Sequence, residues 1–298
     1  MHLLELDRNY LECWNLHEKK EAEVFHLHTP KVAGCSVVHD LSEMVGRENI
    51  FSDEVCFSYS FQGTYNNTVA MVRDPRDHVY SMYQFCHMAV DPGYRLMTGR
   101  RQGLEGQENY KLPGSFEEWI EEWYMRPRFG NYDIYEDEEF CYCPYNMQSS
   151  RFACKSETTA KYCHASADVH QAVANLQSAS MVGVEEAYHE SICLFHARLL
   201  GSLPAHCDCE AAAWQQYVET SISHRAGDEA YGTVRGASAE ALRRVDEMTR
   251  DDRELYAAAV RRFVRDLEGL EQRHGRRVLC EERRRALLER LARVEIVA

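Results

Sequence analysis

The chain has 298 residues, 45% hydrophobic and 28% charged, enough to bury the core of one large domain or two small ones. Its formal net charge of −14 excludes a general nucleic-acid binder, whose surface is basic. No stretch approaches the roughly eighteen apolar residues of a membrane-spanning helix, and Met1 to Lys20 mixes Leu with Glu, Asp and Lys without a signal-peptide core.

Val24 to Thr29 reads as a buried strand that enters a tight loop, Pro30-Lys31-Val32-Ala33-Gly34-Cys35-Ser36, and a helix follows from Ser36 to Val45. A second strand is expected at Val55 to Tyr59 and a third at Thr68 to Val72. Arg73 ends that third strand, and Pro75 opens a helix running to about Met88. Asp91 to Gly114 is a loop rich in Gly and Arg. Ser115-Phe116-Glu117-Glu118 is a capping box for a helix to Tyr124 whose apolar stripe is Phe116, Trp119, Ile120 and Trp123. Arg126 to Tyr145 is an acidic, aromatic loop. A helix at Ala167 to Leu176, a short strand at Ser180 to Val184 and a helix at Glu190 to Leu200 come next, then a polar loop from Thr220 to Gly236. Two helices, Ser238 to Thr249 and Asp252 to His274, precede an Arg-rich amphipathic helix, Arg276 to Arg293, expected to dock on the body. Strands alternating with helices imply a parallel α/β sheet with ligands at the carboxyl ends of its strands.

Both loops of interest lie at those ends. A strand–loop–helix unit presents unpaired backbone N–H groups at a helix N-terminus, and Lys31 adds a full positive charge. Arg73 can reach a second anionic group. Two separated anion sites point to a ligand with phosphates at both ends. The loop is not G-x-x-x-x-G-K-[ST], and no metal-binding Ser or Thr follows the Lys, which disfavours a P-loop kinase and a magnesium requirement.

Pro30-Lys31-Val32-Ala33-Gly34-Cys35-Ser36 resembles the P-K-T-A-G-T-S loop of sulfotransferases, and Val72-Arg73-Asp74-Pro75-Arg76-Asp77-His78-Val79-Tyr80-Ser81 resembles their R-D-P-x-x-R-x-x-S-x-Y segment. Three weaker echoes follow in the family's order: Asn146-Met147-Gln148-Ser149-Ser150-Arg151 (N-x-Q-x-x-R), Val182-Gly183-Val184-Glu185-Glu186 (V-G-x-x-E), and Asp251 to Phe263 (D-x-x-L-Y-x-x-A-x-x-x-F). The resemblance is to Golgi-type carbohydrate sulfotransferases, which use 3′-phosphoadenosine-5′-phosphosulfate, and it spans residues 22 to 272. It implies a P-loop NTPase-like parallel sheet flanked by helices, with residues 1–275 as one catalytic domain and 276–298 as a C-terminal helix packed on it. It also implies that residues 30–36 hold the 5′-phosphosulfate, with Lys31 at the bridging oxygen and Gly34 allowing close approach. Arg73 and Ser81 would hold the 3′-phosphate. Arg151 would line the cleft, Arg225 would reach the nucleotide from a later loop together with His224, and no metal would be needed. Cys35 departs from the family's Thr or Ser, which leaves the backbone contacts of the loop in place. The family's base is commonly a His between the two phosphate motifs. Ile50 to Asn67 contains none, so Glu54, then Asp53 and His39, are the candidates to take the acceptor's proton. A catalytically inactive nucleotide-fold binding protein is the other class that this absence suggests.

The acceptor is expected to be a small molecule or a glycan, and the acidic runs Glu117-Glu118, Glu121-Glu122 and Glu136-Asp137-Glu138-Glu139 lean towards a neutral or weakly charged one. Twelve cysteines are many for a cytosolic protein. Cys141, Cys143, Cys154 and Cys163, with the pair Cys207 and Cys209, suit disulfides of a lumenal enzyme. Cys141-x-Cys143 with Cys154, Cys163 and His164 can alternatively be read as a zinc site. Cys35 and Cys193 read as small packed residues. The expected compartment is the Golgi lumen or secretory pathway, if an anchor has been trimmed, or else the cytoplasm. Asn66-Asn67-Thr68 is a glycosylation sequon that abuts the third strand and is read as coincidence.

Overall fold

The computed structural model describes residues 22–57, 65–90, 114–125, 143–154, 167–220 and 234–296. Its centre is a four-stranded, all-parallel sheet in the order β2-β1-β3-β4, with β1 at Val24–Leu27, β2 at Ile50–Asp53, β3 at Asn67–Val72 and β4 at Met181–Val184. Val24 pairs with Ile50 on one side and Asn67 on the other, and Val72 pairs with Val184.

Period-two alternation divides the strands between two cores. Phe25, Leu27, Phe51, Ala70, Val72, Val182 and Val184 face helices α5 (Val169–Ser178) and α9 (Arg250–His274). Val24, Ile50, Val69, Met71 and Met181 face α1 (Gly34–Val45) and α6 (Tyr188–Leu200). Gly183 of the V-G-x-x-E echo belongs to this packing, since a Cβ there would come within 2.3 Å of the Met71 sulfur. A third cluster joins α2 (Pro75–Val90), α3 (Phe116–Met125) and α8 (Ala239–Met248) around Trp119, Met82 and Val245. The capping box forms as expected, with Glu118 N–H donating to Ser115 Oγ and Ser115 N–H donating to Glu118 Oε2.

One strand is misplaced in the sequence reading. The second strand is Ile50–Asp53, not Val55 to Tyr59. Val55, Cys56 and Phe57 are buried, but as irregular chain. Phe57 N–H donates to the Arg151 carbonyl, its ring stacks on Phe152, and Cys56 is bonded to Cys154. The apolar run is therefore core without being strand. Two short helices, α4 (Met147–Ala153) and α7 (Ala212–Thr220), also appear where no element was expected. The tail forms α10 (Glu281–Ile296), whose Leu287, Leu291 and Val294 are buried against the body.

The cysteines pair across the fold: Cys56 with Cys154, Cys193 with Cys207 and Cys209 with Cys280, while Cys86 and Cys143 are also disulfide-bonded. Cys193 is thus a bridge residue rather than packing, and Cys207 and Cys209 take separate partners. The zinc reading fails because Cys143 and Cys154 are in disulfides and cannot offer thiolates. Such pairing fits an oxidising, lumenal or extracellular setting and disfavours the cytoplasm. Among the described residues no helix is long and apolar enough to cross a membrane.

Candidate anion-binding site

Three strands deliver the site residues to one end of the sheet. Ending β2 at Asp53 puts Asp53 and Glu54 at its carboxyl end, beside the loop that follows β1 and the Arg73 that follows β3. His28 N–H donates to the Asp53 carbonyl at 3.0 Å and extends the ladder to the rim.

The loop after β1 has an unusual backbone. Lys31 (φ 63°) and Ala33 (φ 62°) are left-handed, whereas Val32 between them is not. Alternating hand over consecutive residues turns successive N–H groups towards one point, the geometry of an anion nest, at about 1–3 kcal/mol of strain for each non-glycine residue. Ala33 is the N-cap of α1 and has no side chain with which to cap it. The N–H groups of Gly34, Cys35 and Ser36 therefore lie at the positive end of a twelve-residue helix.

Gly34 is explained by a neighbour that sequence reasoning missed. A Cβ on Gly34 would lie 2.0 Å from His28 Nε2, so the glycine admits an imidazole rather than a ligand. His28 also stacks on His26, whose Nδ1 is 2.9 Å from Ser52 Oγ. Burial, with Arg151 and Lys31 nearby, lowers His28 to about 4, so it is neutral at physiological pH. A second missed histidine, His78 of α2, donates from Nε2 to the Pro30 carbonyl at 2.8 Å. Burial lowers it to about 3. The signal for both was in the sequence, as His-Thr-Pro before the loop and Asp-His inside the second motif. Among the described residues, Thr29 Oγ1 and His78 Nδ1 are buried polar atoms without a hydrogen-bond partner at the base of the loop.

Lys31 places its ammonium 4.4 Å from the centre of the Phe85 ring. The residue as a whole is half-buried, and the ammonium is its enclosed end. Burial and the Arg73 charge pull it down to about 7, opposed by Cys35 and Glu54. Arg73 Nη1 donates to the Lys31 carbonyl at 3.3 Å, and its Nε lies 3.4 Å from Glu185 Oε2. Arg73 therefore stands directly beside the Lys31 loop, with its charge felt at the Lys31 ammonium.

The weaker echoes hold this arrangement in place. Arg73 N–H donates to Gln148 Oε1 and Gln148 Nε2 donates back to the Arg73 carbonyl, both at 2.9 Å. Arg151 is buried and donates from Nη1 to the Glu54 carbonyl. Asn146, itself left-handed at φ 45°, accepts the N–H of Asp251 at the start of α9, and Asp252 accepts the N–H groups of Gln148 and Ser149. Glu186 accepts the Asp74 N–H at 2.7 Å and the Tyr256 hydroxyl at 3.1 Å. Every one of the five segments thus bonds to at least one other. Asp74 is fully buried and pairs with Arg290 and Arg293 of α10, while Asp77 pairs with Arg290 at 2.6 Å. Arg76 forms a two-toothed pair with Asp246 of α8.

No family model matches the chain, and no curated protein matches it. The site is defined by its geometry alone.

Of the expected site residues, Pro30 and Val32 are buried, Cys35 and Ser36 are half-buried at the helix start, and Ser81 is buried in α2 two turns below Arg73. Glu54 lies close enough to Lys31 to raise its pKa, and Asp53 Oδ1 accepts the Glu54 N–H at 2.8 Å. His39 does not join them. It is exposed on the outer face of α1, 3.5 Å from Asp40 and 4.0 Å from Glu43, because Val37, Val38 and Leu41 take the inner face. Arg225, His224 and most of their loop lie outside the described residues.

Proposed function

We propose that this protein is a sulfotransferase on a P-loop NTPase-like fold, moving a sulfuryl group from 3′-phosphoadenosine-5′-phosphosulfate to a hydroxyl of a carbohydrate or other small acceptor. The setting proposed is the Golgi or another secretory lumen. The observation that carries the reading is the left-handed loop at Lys31 and Ala33, opening α1 directly against Arg73. The donor supplies an activated sulfur whose bond to phosphate oxygen breaks as the acceptor oxygen attacks it.

The chain's contribution is placement and charge. The N–H groups of Gly34 to Ser36 and the Lys31 ammonium hold the 5′-phosphate and meet the charge that collects on its departing oxygen. Arg73 and Ser81 take the 3′-phosphate, Arg73 exchanging its bonds to the Lys31 carbonyl and Glu185 for phosphate oxygens. Glu54 receives the acceptor proton. Its position just after β2, with Arg151 fixing its own backbone carbonyl, favours it over the exposed His39.

The test is calorimetric titration with adenosine 3′,5′-bisphosphate in the absence of magnesium, followed by an acceptor screen with sulfur-labelled donor. Binding by the wild type that is lost in Arg73→Ala and weakened in Lys31→Ala supports the site. Turnover abolished in Glu54→Gln with binding retained supports the base. Binding without turnover of any acceptor would favour the inactive nucleotide-binding protein, and no binding at all would overturn both.

A further inference from the structure

We propose that Asn66 is a modification site that carries an N-linked oligosaccharide. Asn66-Asn67-Thr68 is the sole N-x-[ST] triplet in the chain. Three observations argue for the triplet's use rather than for coincidence.

The first is exposure. Asn66 is solvent-exposed in a bend, whereas the chain on both sides of it is anchored. Tyr65 stacks on Phe25 at 5.4 Å and on Phe51 at 6.0 Å. Asn67 donates its N–H to the Glu23 carbonyl at 3.1 Å and pairs with Val24. The fold thus displays the Asn66 side chain while burying its neighbours' apolar contacts.

The second is position. Asn66 precedes β3 and Arg73 follows it, so they lie at opposite ends of a six-residue strand. At about 3.3 Å per residue the separation is roughly 20 Å. A bulky, solubilising sugar chain there stands away from the anion site and from the sheet's carboxyl edge.

The third is compartment. Disulfides joining residues as far apart in sequence as Cys56 and Cys154 require an oxidising environment, the secretory route in which such sugars are attached. In the reaction Asn66 Nδ2 bonds to C1 of the sugar, the C1–oxygen bond to a lipid-linked pyrophosphate donor breaks, the pyrophosphate leaves with the electron pair, and one amide proton is released.

The fold also sets when this happens. Thr68 pairs with Phe25 in the sheet and donates its N–H to Ser180 Oγ at 3.0 Å. The triplet is open to an enzyme only before β3 joins the sheet, so the acceptor is the unfolded chain.

The experiment is expression of the full chain behind an added secretion signal in eukaryotic cells, read by gel mobility and peptide mass spectrometry. The expected result is one discrete mobility step that N-glycosidase removes, leaving an aspartate at that position. The step is absent in Asn66→Gln and present in Thr68→Ser, which keeps the hydroxyl. Folded protein from a host without the modification, offered to microsomal membranes, stays unmodified. A secreted, folded wild type whose peptide spanning residue 66 is entirely unmodified overturns the proposal.

Discussion

The Lys31 ammonium is held at about 7 in the unliganded protein, so the anion affinity of the site is tied to pH in a window that few lysines reach. A bound phosphate favours the charged form, so binding takes up a proton whenever Lys31 starts neutral. Between pH 7 and 9 the protonated fraction of the free protein falls from about one half to about 1%, and affinity for adenosine 3′,5′-bisphosphate falls by up to ~50-fold. A charged hydrogen bond contributes about 1.5–3 kcal/mol, which sets the ceiling of the effect at roughly 10- to 150-fold. Glu186, raised to about 8 by burial beside Glu185, also titrates in this window and accepts the Asp74 N–H next to Arg73, so Glu186→Gln is the control that isolates the Lys31 contribution. His28, at about 4, and His78, at about 3, are neutral throughout, and the second ionisation of a phosphate ester, near about 6, is complete by its start. The assay is calorimetry at pH 7, 8 and 9 in buffers of different ionisation enthalpy, giving affinity and proton uptake together. Uptake should peak near pH 8, at roughly 0.5 to 0.9 proton per ligand for that ceiling, and decline towards pH 9 as the bound lysine itself titrates. Lys31→Arg should bind without the pH dependence, and Lys31→Met should bind weakly at pH 7 and show none. A flat wild-type affinity with no proton uptake, or an unchanged slope in Lys31→Met, refutes the argument. The linkage also predicts stability. A lysine whose native pKa is lowered binds more protons when unfolded, so the Lys31 contribution to stability rises with pH from about 7 towards 10, opposed up to about pH 8 by Glu186, whose raised pKa makes the folded state bind the extra proton. Lys31→Met, which loses ligand affinity, should therefore melt about 2–3 °C higher at pH 7, near ~1 kcal/mol after discounting for the half-exposure of the residue.

Gly34→Ala should lower melting temperature and weaken anion binding at least tenfold by driving a Cβ into His28, and Gly34→Ala with His28→Ala should recover much of both, the double-mutant cycle giving the coupling. Arg290→Met strips a cation from buried Asp74 and Asp77, leaving Asp74 with Arg293; urea unfolding should show a loss of about 1–3 kcal/mol. Cys56→Ser with Cys154→Ser releases a bridge across a sequence separation of 98 and should cost about 2–5 kcal/mol, seen as a fall in melting temperature under non-reducing conditions.

The sequence by itself determined the parallel α/β class, three of the four strands, the helix start at Pro75, and the pairing of a Lys loop with an Arg at a strand end, while the first helix begins at Gly34, two residues before the expected Ser36. These are local properties. Period-two apolar runs, a capping box and a Pro at a first helical turn carry their conformation in a few adjacent residues. Only the tertiary structure decided the rest, because it depends on which distant groups meet. The second strand moved to Ile50–Asp53 because Val55 to Phe57 is claimed by contacts with α4, and apolar content alone does not separate strand from buried coil. That shift brought Glu54 to the rim of the site, while helical phase sent His39 outwards. Gly34 turned out to answer to His28, six residues earlier, and the acidic half of the Arg73-Asp74 motif to Arg290 and Arg293, more than two hundred residues later. The charges were legible as residue types, but burial and proximity set what they do. Lys31 is an ordinary surface cation in the chain, and a near-neutral group once Phe85 covers it and Arg73 stands beside it.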